Sequence, residues 1–157
     1  MGKLLIVLFL FLFTAQIRAQ NVDIEMKSTD NKWVNLQDQL GEKLTIIDFW
    51  ATWCKPCLNA MPKINSIYES YKNKGVNVIG ISVDSPRNHS KVKPLLSSLK
   101  ITYPVLFDMD EDLKNELNVS VMPTLCILNS EGKLIYTHEG FTPGDEEKIK
   151  EEIEKHL

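Results

Sequence analysis

Two cysteines separated by two residues, Cys54 and Cys57, are the side chains of this chain best suited to chemistry. Two thiols at this spacing can close a disulfide, and the thiolate form of cysteine is the species that attacks one. At the start of a helix, unpaired backbone N–H groups and the helix dipole favour the thiolate. The motif therefore predicts a redox pair in which Cys54 attacks and Cys57 resolves.

The two residues between the cysteines, Lys55 and Pro56, are expected to tune this pair. Lys55 adds positive charge near the Cys54 thiolate, and Pro56 suits the first helical turn because no partner is needed there for its missing N–H. Both residues favour a reactive thiolate. Neither fixes the direction of electron flow, because a reduction potential depends on the stabilities of both redox states.

The same cysteine spacing also occurs in zinc sites, which use four protein ligands when they are structural. Besides the pair, the chain offers Cys126 and three scattered histidines, with no second ligand pair at a suitable spacing. We therefore expect redox chemistry with no metal and no bound cofactor. A chaperone that holds a metal ion through Cys54 and Cys57 is kept as an alternative.

The N-terminus is typical of a secretory signal. Lys3 precedes an apolar run of ten residues, Leu4 to Phe13. A membrane-spanning helix needs about 20 residues, so we expect residues 1–19 to be a signal peptide cleaved after Ala19. An uncleaved anchor is the alternative, because Ile17 is bulky for a cleavage site. Residues 20–157 are then expected to form one domain that is exported to a periplasm, where disulfides persist.

The charge balance argues against one class of partner. The chain has a formal net charge of −3, and loss of Lys3 and Arg18 with the signal would change it to −5. A nucleic-acid partner is therefore disfavoured. Three cysteines are also too few for a disulfide scaffold.

The apolar pattern predicts alternating strands and helices. A continuous apolar strand ends just before the cysteines, an amphipathic helix follows them, and Thr142 and Pro143 are expected to start the last helix. The segment around Cys126 is expected to be a buried strand in which this thiol is inert packing. Predicted strands lie at 22–26, 32–35, 44–50, 76–83, 103–107, 124–128 and 133–138, and predicted helices at 57–74, 92–99, 111–117 and 143–157.

The segment from Asp48 to Cys57, with Pro62 and the later Met122-Pro123-Thr124, resembles the thioredoxin superfamily, and most closely its exported TlpA/ResA-like reductases. The likeness covers nearly all of residues 21–157. It implies a thioredoxin fold of class α/β, in which a central mixed β-sheet is flanked by helices on both faces and carries an N-terminal β-hairpin extension.

The resemblance also implies roles for individual residues. Pro123 matches a proline that is cis and faces the dithiol, so that the Met122 backbone can pair with an extended substrate. Asp48 matches a buried acid that exchanges a proton with Cys57, and burial should raise its pKa. Trp53 is expected on the substrate-facing rim, and the loop at Gly140 either lines the groove or is a plain loop.

By this resemblance we expect a monomeric thiol:disulfide oxidoreductase that reduces disulfides of proteins or small thiols. A membrane-bound donor would supply its electrons, and cytochrome c maturation or thiol repair would be its destination. A disulfide oxidase or isomerase is the main alternative. A peroxiredoxin is disfavoured, because that family has the pattern Pro-x-x-x-Thr-x-x-Cys, with the threonine three residues before the cysteine. Here Thr52 stands only two residues before Cys54.

Overall fold

The computed structural model describes residues 22–157, so the predicted signal, residues 1–19, lies outside the described part. The strands are β1 (Glu25–Ser28), β2 (Trp33–Asn35), β3 (Leu44–Trp50), β4 (Val76–Ser82), β5 (Val105–Phe107), β6 (Thr124–Asn129) and β7 (Leu134–Glu139). The helices are α1 (Lys55–Tyr71), α2 (His89–Ser98), α3 (Asp112–Glu116) and α4 (Asp145–Glu154). Within residues 22–157, no helix combines the length and the apolarity that a membrane crossing requires.

All seven strands form one sheet in the order β2-β1-β5-β4-β3-β6-β7. Strands β3, β4 and β5 are parallel, whereas β6, β7, β1 and β2 join them in antiparallel pairs. Every residue of β3 is buried, as expected for a strand covered on both faces. The mixed sheet and its N-terminal hairpin, β1 with β2, confirm the predicted architecture.

The side-chain alternation of β3 divides the core into two layers. Ile46 and Trp50 pack in a layer with the buried stripe of α1 and with apolar residues of α2 and α4. Ile47 and Phe49 point to the opposite face, where they meet Leu113 of α3 and residues of the N-terminal segment. Helices therefore cover both faces of the sheet.

Most predicted bounds differ from the observed ones by one to three residues, and the starts of α2 and α4 show why. Helix α2 begins at His89 and includes Pro94, because buried Val92 and Leu96 hold it against the core despite one lost backbone hydrogen bond. Helix α4 begins at Asp145, not at Pro143. The residue before it is Gly144, in the left-handed conformation, while the Thr142 N–H and hydroxyl donate to the Asp145 carboxylate at 2.7 and 2.8 Å.

The N-terminal segment packs, through Val22, against the turn of the β6–β7 hairpin at Gly132. This glycine has a φ of +77°, and a Cβ at this position would collide with Cγ2 of Val22. Gly140 has nearly the same φ, +76°, but a Cβ there would have no atom within 4 Å. The two glycines thus share a left-handed backbone and differ only in their surroundings.

We therefore expect Gly132→Ala to lower the free energy of unfolding by about 2–4 kcal/mol, from backbone strain and the clash with Val22 together. Gly140→Ala should cost only the strain, about 1 kcal/mol. Urea unfolding of both variants measures the difference. Equal costs would show that residue 22 does not pack on the hairpin turn.

Candidate active site

The two cysteines lie at the N-terminus of α1. Cys54 is the residue before the first helical turn, and its Sγ accepts a hydrogen bond from the Cys57 N–H at 3.3 Å. The two sulfurs are bonded as a disulfide with an S–S distance of 1.96 Å. The same N–H would stabilise negative charge on Cys54 after reduction.

The amphipathic pattern of α1 makes the two sulfurs unequal. Cys57 begins the buried stripe that continues through Ala60 and Met61, so it is fully buried against the sheet. Cys54 retains 5% of its surface exposed, while Lys55 and Pro56 face the solvent. An incoming group can therefore reach Cys54 more easily than Cys57.

The loop before Cys54 is fixed by a carboxylate that sequence analysis did not identify. The N–H and hydroxyl of Thr52 donate to the two oxygens of Asp84 at 2.8 and 2.6 Å, and Ser82 Oγ donates at 3.0 Å. One available signal was the parallel pairing of β3 and β4, because Asp84 follows β4 at the edge where β3 ends.

Asp48 is buried on the face of β3 that points toward the layer containing Cys57. Burial raises the pKa of this carboxyl from its ordinary 3.8 to about 7, and a hydrogen bond from Tyr103 partly opposes the rise. The Tyr103 hydroxyl donates to Asp48 Oδ2 at 3.0 Å. The acid thus titrates near neutral pH, where a group that exchanges a proton with a thiol is effective.

The segment before β6 lies at the same sheet edge as the cysteines, because Thr124 of β6 pairs with Phe49 near the end of β3. The Met122–Pro123 peptide bond is cis, as the resemblance implies. Pro123 is buried, Met122 is half-buried, and the Pro123 carbonyl accepts a hydrogen bond from Gly140 N–H at 2.8 Å. The Gly140 loop is therefore tied to this segment.

An apolar surface borders the cysteine pair. Trp53 is 66% exposed and Val121 is 44% exposed, which is unusual for large hydrophobic side chains. A groove of about 330 Å³ has Lys55, Pro56 and Phe141 among its lining residues. The presence of Phe141 in this lining favours the groove-lining interpretation of the Gly140 loop over the plain loop.

Cys126 lies in β6 in the opposite layer of the core from the dithiol. Burial raises the pKa of its thiol to about 11, which keeps it in the unreactive protonated form. Its burial agrees with the predicted packing role. Among residues 22–157, no group of three or more His, Cys, Asp or Glu side chains is arranged to hold a metal ion.

Comparisons with known proteins agree with this geometry. A profile of the AhpC/TSA family matches residues 17–137. Thiol-disulfide oxidoreductase ResA of Geobacillus kaustophilus is 32% identical over 122 residues, which cover 78% of this chain and 65% of that protein. ResA of Bacillus thuringiensis subsp. konkukian is 32% identical over 128 residues, which cover 82% and 69% of the two chains.

A similar solved structure is that of a thioredoxin-like protein from Porphyromonas gingivalis. It is 34% identical with a TM-score of 0.74, and the match covers 88% of this chain and 92% of that one. The fold is therefore thioredoxin-like, as the sequence resemblance implied. The chain belongs to the AhpC/TSA family and, within it, to the ResA-like thiol-disulfide oxidoreductases.

Proposed function

We propose that this oxidoreductase acts as a reductant of protein disulfides, with Cys54 as the nucleophile and Cys57 as the resolving thiol. The observation that carries the proposal is the asymmetry of the pair. Cys54 lies at the helix N-terminus, where its Sγ accepts a hydrogen bond from the Cys57 N–H, and 5% of its surface is exposed. Cys57, in contrast, is fully buried. Such an arrangement favours attack by one defined sulfur.

In the reduced protein, the Cys54 thiolate attacks one sulfur of the substrate disulfide and releases the other as a thiolate. Cys57 then loses its proton and attacks Cys54 Sγ, which frees the second substrate thiol and closes the Cys54–Cys57 disulfide. The substrate gains two electrons and the protein loses two. A separate reductant must restore the dithiol, and we infer a membrane-bound donor for this step.

Asp48 is proposed as the group that takes the proton from Cys57. Its carboxyl faces the layer in which Cys57 is buried, and its pKa of about 7 makes both protonation states available near neutral pH. A base in this range combines a useful ionised fraction with adequate basicity. Ionisation of a buried acid destabilises the fold, so a carboxyl placed in this apolar layer is best explained by this chemistry.

Substrate recognition is proposed to use the rim of the site. An extended substrate chain would pair with the backbone of Met122 beside cis-Pro123, while Trp53 covers an apolar part of it. The groove lined by Pro56 and Phe141 would accept a neighbouring side chain. Lys55 stands beside Cys54 and is proposed to favour its thiolate, with Pro56 stiffening the first turn.

We expect Cys54→Ser and Cys57→Ser each to reduce the turnover of insulin reduction about a hundredfold or more, because each removes one obligatory sulfur. Only Cys57→Ser should accumulate a mixed disulfide between Cys54 and substrate, detectable by mass spectrometry. Cys126→Ala is the matched control and should keep its turnover, since this thiol lies in the other layer. A mixed disulfide trapped through Cys57 would reverse the assigned roles.

The direction of electron flow is tested by the reduction potential of the pair against glutathione. A reductant should have a potential well below that of the glutathione couple, so that the dithiol transfers electrons to substrate. A strongly oxidising potential would instead support a disulfide oxidase or isomerase.

The alternative of a metal chaperone is tested by metal analysis of the reduced protein after dialysis.

Asp48→Asn should change how stability depends on pH. Because the folded-state pKa of Asp48 is about 7 and its ordinary value is 3.8, the unfolded chain loses this proton first as pH rises. The free energy of unfolding of the natural protein should therefore fall between about pH 4 and pH 7, by up to about 4 kcal/mol from this group. The variant should lack that decline, which urea unfolding across this range measures.

Export is proposed from the N-terminal pattern. The full chain with a C-terminal tag, produced in a Gram-negative host, should appear in the periplasmic fraction with a mass reduced by residues 1–19. A variant that lacks residues 1–19 is the control and should stay in the cytoplasm. Recovery of the uncleaved chain in the membrane fraction would favour the anchor alternative.

A further inference from the structure

Tyr103 makes the hydrogen bond that distinguishes the two oxygens of Asp48. Its buried hydroxyl lies 3.0 Å from Asp48 Oδ2 and donates to it. Oδ1 of the same carboxyl is also buried, and it has no hydrogen-bond partner among the described residues. A carboxyl held in this way has one occupied oxygen and one that is free to exchange a proton.

The tyrosine is positioned by α1, the helix that carries the cysteines. The preceding Thr102 donates from its N–H to Asn65 Oδ1 at 2.8 Å and from its hydroxyl to Glu69 Oε1 at 2.6 Å. The Tyr103 ring meets Tyr68 edge to face, with ring centroids 6.2 Å apart. These three contacts fix the hydroxyl relative to the helix as well as to the sheet.

The neighbouring strand leaves room for the ring. Gly80 of β4 lies opposite Asp48, and its N–H donates to the Pro104 carbonyl at 2.9 Å. A Cβ at this position would lie 2.9 Å from Val105 Cγ2, 3.0 Å from Tyr103 Cε2 and 3.2 Å from Trp50 Nε1. A larger residue would crowd the tyrosine ring together with these two neighbours, so the glycine helps the ring to occupy its place beside Asp48.

We propose that Tyr103 is a positioning residue that anchors Asp48 through Oδ2 and thereby directs proton exchange with Cys57 to Oδ1. The inference rests on the proposed role of Asp48 and adds to it a named partner. Asp48 pairs with Gly80 of β4 and Leu125 of β6, accepts the Tyr103 hydroxyl, and points toward the layer of α1 that contains Cys57. Of these four neighbours, only the tyrosine hydroxyl and the thiol of the reduced protein are titratable groups.

The hydrogen bond has a definite electrostatic consequence. A hydroxyl that donates to a carboxylate stabilises the ionised form more than the neutral one, so it lowers the pKa that burial has raised. Its loss must move the pKa of Asp48 further upward. The fraction of Asp48 able to accept a proton at a given pH near neutrality then falls.

The decisive comparison is Tyr103→Phe against Tyr68→Phe. Each removes one hydroxyl from a ring of the same aromatic pair, but only Tyr103 donates to Asp48. The pKa of Asp48 is measured by carbon-13 NMR of its carboxyl in the oxidised protein, where Cys54 and Cys57 do not titrate. Tyr103→Phe should raise this pKa by about one unit, and Tyr68→Phe should leave it unchanged.

The kinetic consequence is measured in the reduced protein. The rate at which Cys57 resolves a preformed mixed disulfide, followed from pH 5 to pH 9, should show its half-maximal pH moved upward by the same amount in Tyr103→Phe. An unchanged carboxyl pKa, or an equal shift in both variants, would overturn the positioning role. An unaltered pH profile in Asp48→Asn would overturn the proton relay itself, independently of the NMR result.

Discussion

The packing of α1 on β3 is the constraint on which the rest of the site depends. The helix buries Cys57 at the beginning of its apolar stripe, and the strand buries Asp48 on the face that points toward that layer. The same packing leaves Cys54 at the helix terminus, where backbone N–H groups are available. One helix–sheet contact therefore sets the slight exposure of Cys54, the full burial of Cys57 and the raised pKa of Asp48.

Two buried carboxylates near the site differ in how fully their oxygens are hydrogen-bonded. Asp84 accepts three hydrogen bonds, from the N–H and hydroxyl of Thr52 and from Ser82, and these fix the loop that precedes the cysteines. Asp48 accepts one and keeps a free oxygen. An under-bonded carboxyl in an apolar layer, such as that of Asp48, can change its protonation state near neutral pH.

Elements whose hydrophobic residues follow a regular spacing could be predicted from the sequence. The continuous apolar run of β3 and the three-and-four spacing in α1 are local patterns, so both elements and the position of the cysteines could be predicted. Tyr103 could not be assigned to Asp48, because 55 residues separate them and only the folded sheet brings them together. The start of α4 was misplaced because the pattern of Thr142, Pro143 and Asp145 does not reveal the left-handed backbone that Gly144 adopts just before the helix.

The two-layered core also settles which disulfide can form. Three cysteines allow three different pairings, yet β6 directs Cys126 into the layer opposite the helix that carries the other two. The side-chain period of a strand is two, so a shift of β6 by a single residue would turn this thiol toward Cys54 and Cys57. The register of β6 against β3 thus prevents a wrong disulfide, because it keeps the sheet between the Cys126 thiol and the Cys54–Cys57 pair.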